Sequence, residues 1–208
     1  MRVKYYERQT LDNIARNILD QYNPLFLYMQ PQSTPLEGIV QDMFDLYIEY
    51  KRLTEYGDEL GRIIFNDGYT PYFNTEKDEY EYIKVSSGTI LIEALLLENH
   101  KLHGRLRFTI AHELSHWVLH RELFASMSVT QIAYGIGNCP NTNSIEWQAN
   151  YLAKSLLMPK SQIKYAFYMM GDEPNAKKIV CLANMFEVSK QSMEIRLNEM
   201  GLIKSVFV

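Results

Sequence analysis

From Thr10 to Tyr22, apolar Leu11, Ile14, Ala15, Ile18 and Leu19 recur at helical spacing, while Asp12, Arg16 and Asp20 fall on the opposite, solvent-facing side. An amphipathic helix is expected there. Thr34-Pro35-Leu36-Glu37 combines an N-cap Thr, a Pro at the first helical position and a Glu able to reach back to the cap amide, which predicts a second helix to about Phe44. LYIEYKRL from Leu46 is rich in β-branched and aromatic residues, RIIF follows around Ile63, and Asn66-Asp67-Gly68 is a turn signal, so two antiparallel strands are expected. Residues 69–79 are polar and contain a Pro, and the Tyr- and Glu-rich stretch from Tyr69 to Tyr82 fits no family pattern. Further β-prone segments cover Tyr80 to Val85 and Thr89 to Ile92, broken at Ser86-Ser87-Gly88.

After Gly104 the period is helical again, with Phe108, Ala111, Leu114, Ser115 and Val118 as an inward stripe. A helix from about Ser144 to Met158 turns Ile145, Ala149, Leu152, Ala153 and Leu156 inward and stops before Pro159. Between the two lies a loop-like stretch with Gly135, Gly137, Asn138 and Pro140. Pro174 opens a short helix, Ser189 caps a last one and Gly201 stops it. The pattern predicts an α+β fold with a small antiparallel sheet. The main domain spans residues 1–160 and a helical C-terminal extension, residues 161–208, packs on it.

Composition narrows the class without naming a function. The 208 residues, 47% apolar and 22% charged with 10 Gly and 7 Pro, suit a globular chain and exclude collagen-like, disordered and coiled-coil readings. MRVKYYERQT has no apolar core, and LIEALLL and SLLM fall short of a bilayer span, so a cytoplasmic protein without membrane contact is expected. Cys139 and Cys181 form no CxxC pair and read as free thiols of a reducing cytosol. Charge is uneven. From Pro35 to His100, fourteen Asp and Glu face five Lys and Arg, a balance of −9 within a chain of net −4. No segment has the dense basic stripe that phosphate binding requires, so nucleic acid is not the expected direct ligand. LANMFEVSKQSMEIRL does read as helix, turn, helix, but from Asp172 to Val208 five basic residues balance five acidic ones, which favours packing or substrate docking over DNA reading. The aromatic YAFYMM run from Tyr165 to Met170 reads as core or surface groove.

Chemistry concentrates in His112-Glu113-Leu114-Ser115-His116. Two imidazoles four residues apart on a helix differ by about 40° around its axis, so both reach one metal ion. Glu113, one residue out of line, faces water beside the ion and is placed as general base. The set suits a zinc hydrolase, in which the ion polarises the scissile carbonyl and makes its water acidic.

A third protein ligand decides the class. Leu119 and Glu122 stand where a metzincin has its Gly and third His, so that pattern fails. His120 lies about 80° around the helix from His112 and reads as a helix C-terminal His that meets the dipole. In SIEWQANYLAKSLLMP, Glu146 and Asn150 share a helix face. Glu146 there can close a His, His, Glu site while Asn150 orients an imidazole. The alternative is that Asn143-Ser144-Ile145-Glu146 forms a capping box that spends Glu146 on the Asn143 amide; the ligand reading is preferred because the helix has no other acid and the metal lacks a third ligand.

RFTIAHELSHWVLH followed by EWQANYLAKSLLMP resembles the ImmA/IrrE family of metallopeptidases. The resemblance runs from about Leu46 to Leu202. It implies a gluzincin-like core whose strand before the motif helix is GTILIEA, with IVCLANMFEVSKQSMEIRLNEMGLI as the helical tail. It further implies bound Zn2+, a cytosolic location and limited proteolysis of helix-turn-helix repressors of phages, mobile elements or stress regulons. Residue by residue, His112, His116 and Glu146 match the metal ligands and Glu113 the catalytic glutamate. A partner with a basic DNA-binding face is the expected protein substrate, and the acidic segment, through Glu76, Asp78, Glu79 and Glu81, the surface expected to attract it. The rival is a regulatory protein that binds a repressor or DNA through its C-terminal helices without cleaving, against which an intact Glu113 speaks.

Overall fold

The computed structural model of the protein describes residues 4–125 and 142–204. Cys139 and the stretch around Gly135 lie outside the described residues; Cys181 is an exposed free thiol. The described elements are α1 (Arg8–Tyr22), α2 (Leu36–Gly38), which widens into a π-helical turn over Ile39–Met43, then β1 (Tyr47–Lys51), β2 (Gly61–Ile63), β3 (Gly68–Asn74), β4 (Glu79–Val85) and β5 (Thr89–Glu93). Next come α3 (His103–Phe124), α4 (Thr142–Leu157), α5 (Lys160–Met169), α6 (Asn175–Met185) and α7 (Lys190–Glu199). The α+β class therefore holds. Among the described residues no helix is long and apolar enough to cross a membrane.

The sheet differs from the expected hairpin. LYIEYKRL and RIIF do not pair with each other: the order is β1-β5-β2, with β1 parallel and β2 antiparallel to β5. The cause lies in β5, whose run TILIE is buried at every position and so takes the centre. Burying Ile90, Leu91 and Ile92 fully contributes about 1.5–3 kcal/mol each, which two half-exposed strands paired together would forgo. Buried Glu93 at the end of β5 ties the β1–β2 connection back, accepting from the Leu53 amide at 2.8 Å and pairing with Arg52 at 3.1 Å.

Asn66-Asp67-Gly68 leads from β2 into β3 instead of closing a hairpin. The stretch Tyr69 to Tyr82 is itself a two-stranded ribbon, β3 against β4, in register from Gly68 opposite Val85 to Asn74 opposite Glu79. Pro71 sits inside β3, which among the described residues pairs with one strand only and so leaves room for a residue without an N–H, while the Phe73 amide donates to the Arg52 carbonyl at 2.9 Å. Tyr72 donates to Glu81 across the ribbon at 2.6 Å.

Helix α3 packs most extensively on α4 and also covers β2 and β5. Enclosed on several sides, it is buried or half-buried at every position from Leu106 to His120, where a single inward stripe was expected. On α4 the expected inward residues Ile145, Ala149, Leu152, Ala153 and Leu156 are all buried. Thr34 does not cap α2. Its hydroxyl donates to the Leu156 carbonyl at 2.7 Å and its carbonyl accepts from Arg107 at 2.6 Å, clasping α3 to α4. Asp12 leaves the solvent face assigned to it, because α4, α5 and α7 supply partners: Ser155 at 2.9 Å, Tyr151 at 3.1 Å, Lys160 at 2.6 Å and Arg196 at 3.2 Å. Ser189 caps α7 as expected, accepting from the Ser192 amide at 3.0 Å.

Candidate metal centre

His112 and His116 project from successive turns of α3 with ring centroids 4.6 Å apart and their Nε2 atoms 3.0 Å apart. Glu146 comes to them from α4, with Oε2 3.2 Å from His112 Nε2 and Oε1 3.4 Å from His116 Nε2. The three residues can offer ligand atoms that all lie within 4.8 Å of one another. Both Glu146 oxygens thus face the imidazoles, which favours the ligand reading of that residue over the capping box.

Asn150, one turn along α4 from Glu146, places Oδ1 3.1 Å from His112 Nδ1, the ring nitrogen that does not face Glu146. His116 Nδ1 lies 3.1 Å from Nδ1 of His120. Burial, reinforced by the charge of His116, drives the His120 pKa down to about 3, so that ring is neutral. The Nε2 atoms of His112 and His116 and the Glu146 carboxylate converge within 3.4 Å, three groups that can each offer a metal one ligand atom. Ligands at about 2.0–2.1 Å around a tetrahedral zinc lie about 3.3 Å from one another, so two imidazoles and a carboxylate at these separations fit that ion.

With no metal between them, the carboxylate and the imidazoles pair with one another. Burial works to raise the Glu146 carboxyl, yet hydrogen bonds to His112 and His116 hold it well below the usual range. Burial likewise opposes charge on His112, and the Glu146 hydrogen bond with the charges of Glu113 and Glu146 outweighs it, raising the imidazole. Side-chain exposures of 18% for His112 and 34% for Glu146, against 4% for His116, show that the first two remain partly accessible while His116 is enclosed.

Glu113 is buried beside the cluster, and desolvation pushes its carboxyl up while His112 and His116 pull it down. Its side chain lies against Gly61 of β2: a Cβ at that position would sit 2.9 Å from Glu113 Oε1 and 3.0 Å from its Cγ. β2 is an edge strand, and Gly61 permits the carboxylate to approach it.

Sequence reasoning placed His112, Glu113, His116, Glu146 and Asn150 together, and the structure brings all five to one place. It misread His120. That ring is 3% exposed and sits under His116 instead of at an open helix end, because α3 continues past it to Phe124 and Gln148 of α4 lies beside it. Gln148, itself buried, donates to Ser144 at 3.1 Å. Gly61 and Gln148 were missed outright; the only signal for His120 was its four-residue spacing from His116.

Comparison with known proteins agrees with this picture. No curated protein matches the sequence. Among solved structures, a Mycobacterium tuberculosis transcriptional regulator aligns over 90% of this chain and 55% of its own length, with a TM-score of 0.52 and 16% identity. The chain thus spans about half of that protein, and the likeness speaks for the fold alone. The peptidase family of the IrrE N-terminal-like domain matches residues 67–198, a span holding the α3 and α4 residues of the cluster. By that match, the chain belongs to the IrrE N-terminal-like domain family.

Proposed function

We propose that the protein is a zinc-dependent endopeptidase that makes limited cuts in a helix-turn-helix transcriptional repressor. The observation that carries this reading is the convergence of His112, His116 and Glu146 with Glu113 buried beside them. His112, His116 and Glu146 would hold the zinc, which when bound would supply Lewis acidity to a peptide carbonyl and make water more acidic. Glu113 takes the proton of the attacking water and returns it to the leaving amine. Asn150 and His120 fix the ring planes of His112 and His116. β2, which among the described residues pairs on one side only and lies next to Glu113, would offer the main-chain groups of its other side to an extended substrate segment. The division into a peptidase domain, residues 1–160, and an extension, residues 161–208, and a cytoplasmic location belong to the same proposal.

A basic repressor suits the acidic segment, but the four carboxylates named for recruitment are not equivalent. Glu76, Asp78 and Glu79 stand exposed around the β3–β4 turn. Glu81 is engaged by Lys77, Tyr72 and Asn74, in that order of effect, which lower its pKa to about 2. Recruitment therefore rests on the first three. Direct DNA reading by α6 and α7 is disfavoured because Lys178 and Arg196, two of their cations, are 6% and 1% exposed.

The test is to express a Glu113→Gln variant as a trap, identify the captured repressor, and follow its cleavage by wild type against ionic strength. Zinc-dependent cleavage that slows with salt and slows further in the Glu76→Gln, Asp78→Asn, Glu79→Gln triple variant is expected. A captured protein that zinc-loaded wild type leaves intact would favour the non-cleaving regulatory reading.

A further inference from the structure

The stretch from Tyr69 to Tyr82 supplies no residue of the His112, His116 and Glu146 cluster, yet the ribbon it forms turns a row of rings outward. In the register of β3 against β4, Tyr69 stands opposite Lys84, Pro71 opposite Tyr82 and Phe73 opposite Tyr80, and opposed residues share a face. The other face is the inner one: Thr70 and Val85 are buried, and Ile83 packs on the cluster of Leu53, Ile64, Val85 and Leu91. On the outer face Tyr69, Tyr80 and Tyr82 are 61%, 52% and 65% exposed around a half-buried Pro71. One exposed ring needs no explanation, whereas several on one face with a polar rim mark an interaction surface.

This surface is held in place before any partner arrives. The Tyr80 hydroxyl accepts from the Glu55 amide at 3.2 Å, and its ring meets Phe73 edge-on with centroids 5.3 Å apart. Arg62 of β2 donates to the Pro71 carbonyl at 3.0 Å and to the Thr70 hydroxyl. A ribbon anchored at these points loses little freedom on binding, and tyrosine adds contact area at low entropic cost. Arg62 follows Gly61, the residue against which Glu113 lies, so the ribbon is tied to the strand beside that carboxylate.

Charge decides what covers the rings. Glu55, whose amide meets Tyr80, and Glu76, Asp78 and Glu79, around the β3–β4 turn, are exposed. Lys77 is engaged by Glu81, while Lys84 is exposed at the far end of the ribbon, opposite Tyr69. The turn end is thus the acidic one, and Tyr80 and Tyr82 are the outer-face tyrosines nearest to it. A cation that also stacks satisfies both features. Guanidinium is planar, weakly hydrated and attracted to ring faces, whereas an ammonium is compact and strongly hydrated.

We propose that the outer face of the β3–β4 ribbon docks an arginine-bearing extended segment of the partner protein, with guanidinium groups stacked on Tyr80 and Tyr82 and facing the carboxylates of the turn. Long-range attraction by the acids treats arginine and lysine alike; the rings add a preference for arginine. The identity of the partner rests on the function proposed above, whereas the docking itself requires no cleavage.

The test is calorimetric titration of the full chain carrying Glu113→Gln, so that no peptide is cut, with an extended peptide of alternating serine and arginine, its lysine counterpart and its neutral citrulline counterpart. The arginine peptide is expected to bind with a Kd below about 1 mM, about fivefold more tightly than the lysine peptide and at least about tenfold more tightly than the citrulline peptide. Tyr82→Ala should weaken the arginine peptide about fivefold and leave the lysine peptide nearly unchanged, which erases the preference and shows that the ribbon is intact. The Glu76→Gln, Asp78→Asn, Glu79→Gln triple variant should weaken both cationic peptides by a similar factor and keep the preference. Lys84→Glu, whose gain no unfolding can mimic, should tighten both about threefold at low salt. Equal binding of the arginine and lysine peptides, a preference that survives Tyr82→Ala, weaker binding by Lys84→Glu, or no saturation by about 5 mM overturns the proposal. Arginine-selective binding in a chain whose zinc-loaded wild type cuts no captured protein would uphold the docking and strike only the peptidase reading; repressor cleavage together with any of the overturning results would do the reverse.

Discussion

Gly61 separates metal binding from proton transfer, and Gly61→Ala is the substitution that exploits it. The added Cβ would stand 2.6 Å from Thr109 Cγ2, 2.9 Å from Glu113 Oε1 and 3.0 Å from Glu113 Cγ, and these nearest atoms include none of the metal cluster. Neither neighbour yields without cost. Thr109 is held by its hydroxyl, which donates to the Arg105 carbonyl at 3.0 Å, and a β-branched side chain on a helix has few rotamers. Gly61 itself is fixed in the ladder opposite Ile92. Relief therefore comes largely from Glu113, whose carboxylate must move by several tenths of an ångström to about 1 Å. A displacement of that size at a catalytic group costs roughly 100-fold in rate, and the overpacking costs about 1–3 kcal/mol of stability. The assay compares kcat/KM on the captured repressor, zinc content and melting temperature for wild type, Gly61→Ala, Glu113→Gln and the double variant. Gly61→Ala should keep one zinc per chain and lose about two orders of magnitude in turnover. Glu113→Gln should lose roughly 100- to 10,000-fold, and the double variant little more, since both act on one group. Wild-type turnover in Gly61→Ala would refute the placement of the base against β2.

Further outcomes follow from the same contacts. His112→Ala or Glu146→Ala should abolish tight zinc binding, whereas Asn150→Ala should weaken it about 10- to 100-fold and leave the stoichiometry at one; elemental analysis and chelator competition read all three, and full zinc in Glu146→Ala would remove it from the ligand set. Burial tends to raise the Asp12 carboxyl, but Lys160, Arg196 and Ser155 outweigh it and hold its pKa below the ordinary value. Its contribution is therefore present above the unfolded pKa near 3.9 and is lost as pH falls through the lower folded value. Asp12→Asn should cost about 1–2 kcal/mol in urea melts at pH 7, with the gap from wild type closing below about pH 4. A gap that persists at pH 3 would mean that Asp12 acts through packing. Gly104→Ala places a Cβ 2.8 Å from the Ser189 amide nitrogen and 3.0 Å from the Val188 carbonyl carbon, backbone that cannot rotate away, so a loss of about 1–3 kcal/mol should outweigh the helix-propensity gain in thermal melts.

The elements whose residues face one partner along their whole length were readable from the sequence. Helices α1 and α4 each bury a regular stripe, and the caps Ser189 and Pro174 act within a turn of their own position. The sheet was not readable, because pairing is a competition among strands. LYIEYKRL and RIIF satisfy every local criterion for a hairpin, and they are parted only because TILIE buries more on both faces than either of them. The Tyr69 to Tyr82 stretch was obscured by Pro71, a residue that disqualifies a central strand and costs little in a two-stranded ribbon. Asp12 shows the same limit in a helix: its position on the polar side of α1 was right, but the sequence does not say that α5 and α7 return to cover that side.

The candidate site divides along the same line. His112 with His116, and Glu146 with Asn150, are pairs of positions four apart within one helix, a relation that holds wherever the helix sits. That the two pairs should meet is not a property of either helix. It is set by the Thr34 clasp and by the packing of α3 on α4. His120 continues the same four-residue series and yet serves a different end, because a third turn of α3 carries its ring behind His116 instead of toward Glu146. There the imidazole, neutral and enclosed, lies against His116 Nδ1, the nitrogen that does not face Glu146. One residue series on one helix thus provides two groups that can hold a metal and a third that braces the second. Which does which depends on what α4 leaves uncovered.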